Sequence, residues 1–228
     1  MPPAAGMARH ADLPAWPDLV HEQQLWEAGA RLVAGLDEAG RGAWAGPVVA
    51  AAVVLPSGRA DLQDLLPGVR DSKTMTRRQR ERWAVSIREC ALAVGVGETP
   101  PDQVDAMGLM AATRAAMRAA LQALSISPDH LLIDHLHLTG VRIPQTPLTH
   151  GDARALSIAA ASVIAKVSRD ARMLELEAAY PGYGFAQHKG YGTARHRQAL
   201  AVLGPSPIHR RTYSPVAMRL ALDLPARA

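Results

Sequence analysis

The sequence predicts an α/β fold in which a five-stranded sheet is flanked by helices and followed by a helical C-terminal appendage. Short apolar runs of strand length alternate with segments whose apolar residues recur at helical spacing. The segment beyond about residue 180 is rich in Gly, Arg and His and is interpreted as the appendage. The longest apolar run, 48–55, is far shorter than the ~20 residues that a membrane span requires, so no such span is expected.

The first quarter of the chain is predicted to form a short helix and two buried strands. The helix covers 19–28 and ends at Gly29, because glycine commonly follows the last helical turn. RLVAGLD (31–37) is the first strand and PVVAAAVVL (47–55) the second. The glycine-rich string EAGRGAWAG (38–46) joins them as a structured loop.

The next predicted elements are a helix and a third strand. Thr76 and Gln79 have the spacing of a capping box, so a helix begins there. Its inward-facing residues are expected to be Trp83, Ile87 and Cys90. The run ALAVGVGE (91–98) is the third strand.

A longer helix is predicted from Pro100 to about Leu124. Proline suits its first turn, and its apolar residues recur at helical spacing. Met107, Met110 and Met117 are part of this pattern and are interpreted as core residues.

Two more strands and a long helix complete the predicted main domain. HLLID (130–134) is a short apolar strand, so Asp134 lies at a strand end. IPQTPLTH (143–150) is an edge strand, because its prolines remove ladder hydrogen bonds. The small residues of 157–179 allow a helix to lie close against the sheet.

Charge and composition permit a nucleic-acid partner. The formal net charge is +4, and basic side chains that neutralise phosphates drive nucleic-acid binding. Only three of the 25 basic residues are Lys, so each Lys is interpreted as filling a need for a compact ammonium group. The single cysteine, Cys90, excludes an internal disulfide and a zinc site built from several cysteines, which fits a reducing cytoplasm.

Four acidic residues stand where side chains of a sheet can converge: Asp37, Glu38, Asp134 and Asp152. Carboxylates brought together repel one another unless a cation joins them, and oxygen ligands favour Mg²⁺ or Mn²⁺. Such a cluster serves phosphodiester hydrolysis with two metal ions. Taken singly, each acid is also compatible with an ordinary helix start or loop position.

The glycine-rich loop decides whether two of these acids can share one site. Adjacent strand residues point to opposite faces, so Asp37 and Glu38 converge only if the strand breaks at Glu38, and Gly40 is expected to cause that break. GRGAWAG (40–46) superficially resembles a dinucleotide-binding fingerprint, but its third glycine is one position late and a strand follows it. Its glycines instead let backbone amides approach a sugar or phosphate, with Arg41 as a charged contact.

Five strings occur in order between about Val33 and Val216. They are LDEAGRGAWAGPVVAAAV, DSK, LLID, GD followed by SIAAASVIAKVSRD, and YGFAQHKGYGTARH followed by GPSPIHRR. Together they resemble the ribonuclease HII family, and the resemblance covers almost the whole chain.

The resemblance implies the ribonuclease H fold, a mixed five-stranded sheet with helices on both faces and a C-terminal helical appendage. It implies an endonuclease that hydrolyses the RNA strand of RNA/DNA hybrids. It further implies cutting 5′ of ribonucleotides embedded in duplex DNA, by in-line attack of an activated water with two divalent cations, Mg²⁺ or Mn²⁺, to leave 3′-hydroxyl and 5′-phosphate ends.

The family's functional residues carry over onto matching positions of this chain. The implied metal-binding catalytic carboxylates are Asp37, Glu38, Asp134 and Asp152. The implied substrate contacts are Gly40, Arg41 and Gly42 at the ribose, Tyr191 at the neighbouring deoxyribose, and Lys73, Lys166 and Lys189 at phosphates or in structural support.

The chain departs from the family pattern at two positions. His135 follows the third acid where the family usually has Gly, and His150 precedes the GD string where the family often has Lys. Both departures concern local loop geometry and leave the carboxylates intact. His135, His137 and His150 match no metal-ligand spacing and are interpreted as exposed or hydrogen-bonded.

The expected organisation is a flexible extension (1–18), a catalytic domain (19–180) and an appendage (181–228) that contributes to substrate binding. The expected partners are RNA/DNA hybrids and ribonucleotide-containing duplex DNA, with no membrane and no obligate protein partner. A cytoplasmic monomer is expected.

Two other functions are alternatives to this interpretation of the sequence. Ribonuclease HIII shares the catalytic fold but carries a sizeable N-terminal domain, for which the roughly thirty residues before the first strand are too few. A nucleic-acid binder without catalysis would be hindered by the four acids, because uncompensated carboxylates repel phosphate.

Overall fold

The computed structural model describes residues 13–59 and 61–222. The strands are β1 (Val33–Ala39), β2 (Val48–Val54), β3 (Ala93–Thr99), β4 (His130–Asp134) and β5 (Gln145–Leu148). The helices are α1 (Val20–Glu27), α2 (Leu62–Leu65), α3 (Arg77–Cys90), α4 (Pro101–Met107), α5 (Leu109–Gln122), α6 (Leu156–Ala179), α7 (Phe185–His188), α8 (Ala194–Leu203) and α9 (Ser214–Leu222), with 3₁₀ turns at Ser72–Thr74 and Gly151–Ala153. Within the described ranges, no helix combines the length and apolarity that crossing a bilayer demands.

The five strands form one mixed sheet in the order β3-β2-β1-β4-β5. β1 pairs antiparallel with β2, and β2 pairs antiparallel with β3. β1 pairs parallel with β4, and β4 pairs parallel with β5, which lies at the edge as its prolines predict. Since β1 and β4 are parallel, their carboxyl ends meet at the same edge of the sheet.

Helices cover both faces of the sheet and bury a core on each. Helices α3 and α6 share one apolar core with β2, and α5 shares the other with β1, β2 and β4. Thr76 and Gln79 form the predicted capping box at the start of α3. The Thr76 side chain accepts a hydrogen bond from the backbone N–H of Gln79, and the Gln79 side chain accepts one from the Thr76 N–H. Ile87 is fully buried, whereas Trp83 and Cys90 are partly buried at the rim of the α3 core.

Helix α6 approaches β1 almost backbone to backbone, as its small residues predict. A Cβ atom at Gly35 would lie 2.2 Å from the carbonyl carbon of Ser157 and 2.5 Å from the nitrogen of Ile158. Only glycine therefore allows the start of α6 to lie this close to the sheet.

The single helix predicted from Pro100 to Leu124 is wrong, because the chain forms two helices there. Gly108 has φ +80° and ψ 156°, a conformation that ends α4 and begins α5 in a new direction. This break also turns Met107 and Met110 outward, at 43% and 39% exposure, so their assignment to the core is wrong. Met117 is fully buried as expected.

The predicted flexible extension can be followed only from residue 13, since residues 1–12 lie outside the described part. Its end is attached to the main body. The Asp18 N–H donates to the Arg154 carbonyl at 3.1 Å, and the Asp18 carbonyl accepts from the Leu156 N–H at 2.8 Å. Trp16 contacts the Arg70 guanidinium, whose Cζ lies 4.7 Å from the ring centroid.

Helices α7, α8 and α9 form the predicted helical appendage, and buried and exposed polar contacts join it to the sheet domain. The Arg210 guanidinium is fully buried and donates to the Gly46 carbonyl from Nε and Nη2, at 3.1 and 2.9 Å. Asp105 of α4 accepts from the Arg211 and Thr212 backbone N–H groups at 2.7 and 3.0 Å. The boundary at residue 180 stays a prediction.

We predict that Gly35→Ala destabilises the protein by about 3 kcal/mol, because the added methyl group forces α6 away from β1. Gly42→Ala is the matched control, since a Cβ there meets no atom within 4 Å and the change should cost less than about 0.5 kcal/mol. Urea unfolding of the two variants measures the difference. Equal midpoints would contradict the close-packing account.

Candidate active site at the ends of two parallel strands

The carboxyl ends of β1 and β4 bring the predicted acids to one edge of the sheet. Asp37 lies in β1 and Asp134 is the last residue of β4, one position beyond the paired residues Leu36 and Ile133. Asp152 lies in the 3₁₀ turn that precedes α6. The parallel pairing and this turn therefore bring together acids that are far apart in sequence.

Asp37 is the most deeply buried of these acids, at 3% exposure. Its Oδ1 accepts from the Glu38 N–H at 2.7 Å, whereas its Oδ2 is buried without a hydrogen-bond partner. Burial, and then the negative charges of Glu38 and Asp134, hold the Asp37 pKa well above its usual range.

Glu38 reaches the cluster by a different route from the one predicted. β1 does not break at Glu38, which still pairs with Ala50 inside the ladder. Strand alternation therefore directs Asp37 toward α6 and Glu38 toward α5. Glu38 is nevertheless coupled electrostatically to Asp134, because β4 has already ended and leaves this side of β1 open. The expected break at Glu38 is wrong.

Asp134 and Asp152 are connected through one backbone hydrogen bond. Asp134 Oδ1 accepts from the Gly151 N–H at 2.7 Å, so one acid holds the turn that carries the other. Burial, and then repulsion from Asp71 and Asp134, raises the Asp152 pKa. Lys73 opposes this rise, because its Nζ lies 3.5 Å from Asp152 Oδ2.

The donor set fits hard divalent cations. Asp37 Oδ2 and Glu38 Oε2 are buried oxygens without hydrogen-bond partners, and mutual repulsion of the carboxylates is an energetic cost that a cation would remove. Within 13–59 and 61–222, no three His, Cys, Asp or Glu side chains hold a metal-binding arrangement as they stand. Closing the cluster on a cation therefore requires side-chain rotation and displacement of Lys73 from Asp152.

The glycine loop lies beside the acids, and two of its three glycines, Gly40 and Gly42, have different surroundings. Gly40 has φ +95°, and a Cβ there would lie 2.0 Å from Arg169 Nε. Gly42 is exposed and meets nothing within 4 Å, so it is the one of the two that leaves backbone open to a ligand. Arg41 Nη1 donates to Glu38 Oε1 at 3.1 Å, which places the predicted charged contact beside a carboxylate.

Arg169 of α6 holds the glycine loop to the loop that carries Tyr191. Its guanidinium is fully buried and donates to the carbonyls of Pro47, Lys189 and Ala45 at 3.0, 2.9 and 3.2 Å. Its Cζ also lies 5.3 Å from the centroid of the Tyr191 ring. Arg169 was not predicted as a functional residue, because the sequence contains 22 Arg residues and its pattern does not distinguish a buried Arg from an exposed one.

Of three further predicted substrate contacts, Tyr191 and Lys166 line the cleft, whereas Lys189 does not. Tyr191 lines the cleft, and Lys166 Nζ lies 5.6 Å from its ring centroid and 2.7 Å from Asp170 Oδ1. Lys189 is only 8% exposed, with φ +53°, and its Nζ donates to the Asp170 carbonyl at 3.4 Å. Lys166 therefore reaches the cleft as an ion pair, whereas Lys189 is placed as a structural residue.

The two departures from the family pattern share one backbone feature. His135 and His150 both have φ +56°, the left-handed region that glycine adopts most easily. His135 therefore occupies a position whose conformation explains the usual glycine. The His135 N–H donates to the Leu148 carbonyl at 3.0 Å, so the turn after Asp134 remains anchored to β5.

One cleft of about 730 Å³ contains three of the four acids, the glycine loop and Tyr191, whereas Asp152 is not part of its lining. It is lined by Asp37, Glu38, Ala39, Gly40, Arg41, Gly42, Ser72, Lys73, Arg80, Leu109, Asp134, Lys166 and Tyr191. Carboxylates form one part of the lining, basic groups another, and exposed glycine backbone a third. Such a surface suits a substrate that carries both phosphates and sugars.

Comparison with known proteins agrees with the family resemblance. The sequence profile of the family described as Ribonuclease HII matches residues 34–216. A ribonuclease HII from Chloroflexus aurantiacus is 56% identical over 200 residues, which cover 88% of this chain and 94% of the relative. One from Dehalococcoides mccartyi is 49% identical over 203 residues, which cover 89% and 94%.

Solved structures agree on the fold. Ribonuclease H2 from Pyrococcus horikoshii superposes with a TM-score of 0.67 at 26% identity, covering 84% of this chain and 98% of that one. The Archaeoglobus fulgidus RNase HII, solved in a complex with PCNA, gives 0.64 at 26% identity, covering 80% and 95%. Bst-RNase HIII in complex with Mn²⁺ gives 0.64 at 21% identity, covering 85% and 70%. The predicted ribonuclease H-like fold is confirmed.

We predict that Asp37→Asn stabilises the metal-free protein by about 1 kcal/mol at pH 7. A carboxyl whose folded-state pKa is raised destabilises the fold above that pKa, and this cost disappears as the pH falls and the group protonates. The advantage of Asn should therefore shrink between pH 7 and pH 4. Chemical denaturation in a chelator measures it, with the exposed Asp64→Asn as a control that should change little. A less stable Asp37→Asn variant at pH 7 would contradict the repulsion account.

Proposed function

The chain belongs to the ribonuclease HII family and is a ribonuclease H endonuclease, and we propose that it cuts on the 5′ side of ribonucleotides embedded in duplex DNA as well as within the RNA strand of RNA/DNA hybrids. The products would be 3′-hydroxyl and 5′-phosphate ends. The supporting observation is that the exposed backbone at Gly42 and the Tyr191 side chain line the same cleft as Asp37, Glu38 and Asp134. A strand in the cleft would then have different groups facing successive sugars.

Asp37, Glu38, Asp134 and Asp152 are the proposed holders of two divalent cations, Mg²⁺ or Mn²⁺. When bound, such a pair would supply an activated water nucleophile and stabilise charge on the leaving 3′ oxygen. The buried, unpartnered oxygens of Asp37 and Glu38 support this assignment. The Asp134 side chain adds a second task, since its hydrogen bond to Gly151 orients the turn of Asp152.

The glycine loop is proposed to select the ribose. At Gly42 the backbone is exposed and no Cβ blocks it, so a sugar 2′-hydroxyl can approach within hydrogen-bond distance. The Arg41 carbonyl is already held by Arg210 Nη1 at 2.8 Å and by the Tyr213 hydroxyl at 2.6 Å. The loop is therefore fixed in advance, which reduces the entropy that binding would cost.

Tyr191 is proposed to read the sugar on the other side of the cut. The Tyr191 ring packs against the Arg169 guanidinium, so the ring cannot move further into the protein unless Arg169 also moves. A deoxyribose can pack against such a ring, whereas a 2′-hydroxyl would crowd it. Together the two loops would favour the junction at which RNA is followed by DNA.

A basic segment beside the cleft is the proposed path for phosphates. Residues 70–82 contain six basic and two acidic side chains, a net charge of +4 that equals that of the whole chain. Lys73 and Arg80 of this segment line the cleft together with Lys166. Lys73 is 75% exposed, and its proximity to Asp71 and Asp152 outweighs burial and raises its pKa, so it stays charged. These contacts should make binding depend steeply on salt.

The residues proposed to touch substrate come from one chain, so we propose a monomer without an obligate protein partner. The appendage contributes Tyr191 to that site. The PCNA partner belongs to the Archaeoglobus protein.

We predict that Asp134→Asn abolishes cutting but leaves binding of an RNA/DNA hybrid within about threefold of wild type. The amide keeps the oxygen that accepts from Gly151 and removes a cation-binding charge. Single-turnover cleavage in saturating Mg²⁺ and hybrid binding in Ca²⁺ measure the two properties. Near-normal cleavage would remove Asp134 from the catalytic set.

We predict that Tyr191→Ala lowers cleavage at a single embedded ribonucleotide more than tenfold, or about 1.4 kcal/mol of transition-state binding. Cleavage of a continuous RNA/DNA hybrid should fall less, because every sugar on the cut strand then carries a 2′-hydroxyl. Thermal melts must show the variant as folded as wild type. An equal loss on both substrates would assign Tyr191 a general role instead of junction selection.

A further inference from the structure

Two buried histidines join the C-terminal segment to the Tyr191 loop. His196 of α8 and His209 of the following segment are 0% and 1% exposed, and their Nε2 atoms lie 3.0 Å apart. The other ring nitrogen of each histidine contacts a backbone group, and His209 Nδ1 also lies 2.8 Å from the Ser206 hydroxyl. His196 Nδ1 lies 3.1 Å from the Tyr191 carbonyl oxygen, and His209 Nδ1 lies 2.9 Å from the Ser206 nitrogen.

The backbone partners fix the tautomer of both rings. The Ser206 N–H can only donate, so His209 Nδ1 is the acceptor and its proton resides on Nε2. His209 Nε2–H then donates to His196 Nε2, which leaves the His196 proton on Nδ1. That proton is donated to the Tyr191 carbonyl, which can only accept. The chain of hydrogen bonds from Ser206 to Tyr191 therefore runs in one direction, and we name these two histidines the His relay.

The surroundings keep the His relay neutral at pH 7. Burial, and then the neighbouring His188, lowers the pKa of His196 to about 4. Burial, and then His196, lowers that of His209 to about 4. A proton added to His196 Nε2 would face the His209 Nε2–H at 3.0 Å, and a proton added to His209 Nδ1 would face the Ser206 N–H at 2.9 Å. Phe185, whose ring edge packs against His196 at 5.6 Å, seals the pair from solvent.

The His relay supplies a side-chain hydrogen bond to the Tyr191 backbone, in addition to the backbone bonds that Tyr191 makes with His188 and Thr193. Other bonds hold the residues before it: the Trp44 N–H donates to the Gly190 carbonyl at 2.8 Å, and Arg169 donates to the Lys189 carbonyl. The Tyr191 carbonyl accepts from the Thr193 N–H at 2.8 Å as well as from His196. His196 and the Thr193 N–H therefore hold together the peptide plane that follows Tyr191, and His196 is the side chain among these donors.

We propose that His196 and His209 are positioning residues for Tyr191 and thereby determine the preference for an RNA-to-DNA junction. This proposal rests on the junction-reading role proposed for Tyr191. It concerns ring orientation in the cleft and assigns no proton transfer to either histidine.

The first test is the tautomeric state, which does not depend on activity. Nitrogen-15 NMR at pH 7, with signals assigned by single His→Gln substitutions, should show His196 protonated on Nδ1 and His209 protonated on Nε2. A His196 that carries its proton on Nε2, or that is charged at pH 7, would overturn the His relay.

The second test compares His209→Phe with Tyr183→Phe. The Tyr183 hydroxyl donates to the Gly204 carbonyl at 2.8 Å, and the Tyr183 ring packs against Phe185 and His209 at 5.1 Å. Tyr183→Phe therefore removes a hydrogen bond from the same cluster but keeps the ring and every hydrogen bond of the His relay. His209→Phe should lower cleavage at a single ribonucleotide at least fivefold more than cleavage of a continuous hybrid, whereas Tyr183→Phe should leave the ratio unchanged. His196→Asn, which can place an amide N–H near the original Nδ1, should retain more of the ratio than His196→Phe.

Combining His209→Phe with Tyr191→Ala separates positioning from stability. If the histidines act through Tyr191, the double variant should have the substrate ratio of Tyr191→Ala alone. A ratio that falls further, or a His209→Phe variant that loses both activities equally, overturns the proposal.

The NMR shifts of the Tyr191 ring distinguish the two ways of failing. Should Tyr191→Ala leave the substrate ratio at its wild-type value, junction reading by Tyr191 is wrong. The positioning role is then judged by these shifts alone, which must move in His209→Phe and stay in Tyr183→Phe. Unmoved shifts in His209→Phe overturn positioning regardless of the cleavage results.

Discussion

The buried guanidinium of Arg169 is the interaction on which the geometry of the cleft depends. Among the residues that the structure describes, no carboxylate is in hydrogen-bond contact with it, and it donates instead to three backbone carbonyls, those of Ala45, Pro47 and Lys189. Burial lowers its pKa to about 10, which still leaves it charged at pH 7. Hydrogen bonds from a charged donor contribute about 1.5–3 kcal/mol each, so three of them offset the cost of burying the charge. The Ala45 carbonyl lies in the glycine loop, the Pro47 carbonyl directly follows it, and the Lys189 carbonyl precedes Tyr191. One side chain therefore sets the distance between the glycine loop and the Tyr191 loop.

The carboxylate cluster destabilises the fold, in contrast to the hydrogen bonds of Arg169. Mutual repulsion and burial raise the pKa of Asp37, Glu38 and Asp152, so the acids are held in an arrangement that costs stability without a cation. The parallel pairing of β1 with β4 enforces that arrangement, because both strands end at the same edge. The two apolar cores and the close packing of α6 against Gly35 stabilise the fold and offset this local cost.

Substrate recognition, as proposed, also depends on contacts made far along the chain. Arg210 and Tyr213 bind the carbonyl of Arg41, about 170 residues earlier, and the His relay binds the carbonyl of Tyr191. The Trp44 ring of the glycine loop packs directly against Gly192, next to Tyr191, since a Cβ at Gly192 would lie 2.1 Å from the ring. The appendage is therefore the scaffold of the two sugar-facing loops.

The sequence by itself determined the strands, the capping box of α3, the close approach of α6 and the positions of the four acids, because each follows from local residue pattern or from a motif. It could not determine that β1 continues through Glu38, since strand pairing with β2 outweighs the nearby Gly40. It missed the break at Gly108, because helical spacing persists across a glycine whose conformation tertiary packing decides. Arg169, His196 and His209 were not predicted as functional residues, and only the tertiary structure shows that they are buried. Arg169 donates to a backbone carbonyl 124 residues away in sequence, and His196 contacts the His209 side chain, 13 residues away. Burial and partner choice are decided by long-range contacts, which no local pattern encodes.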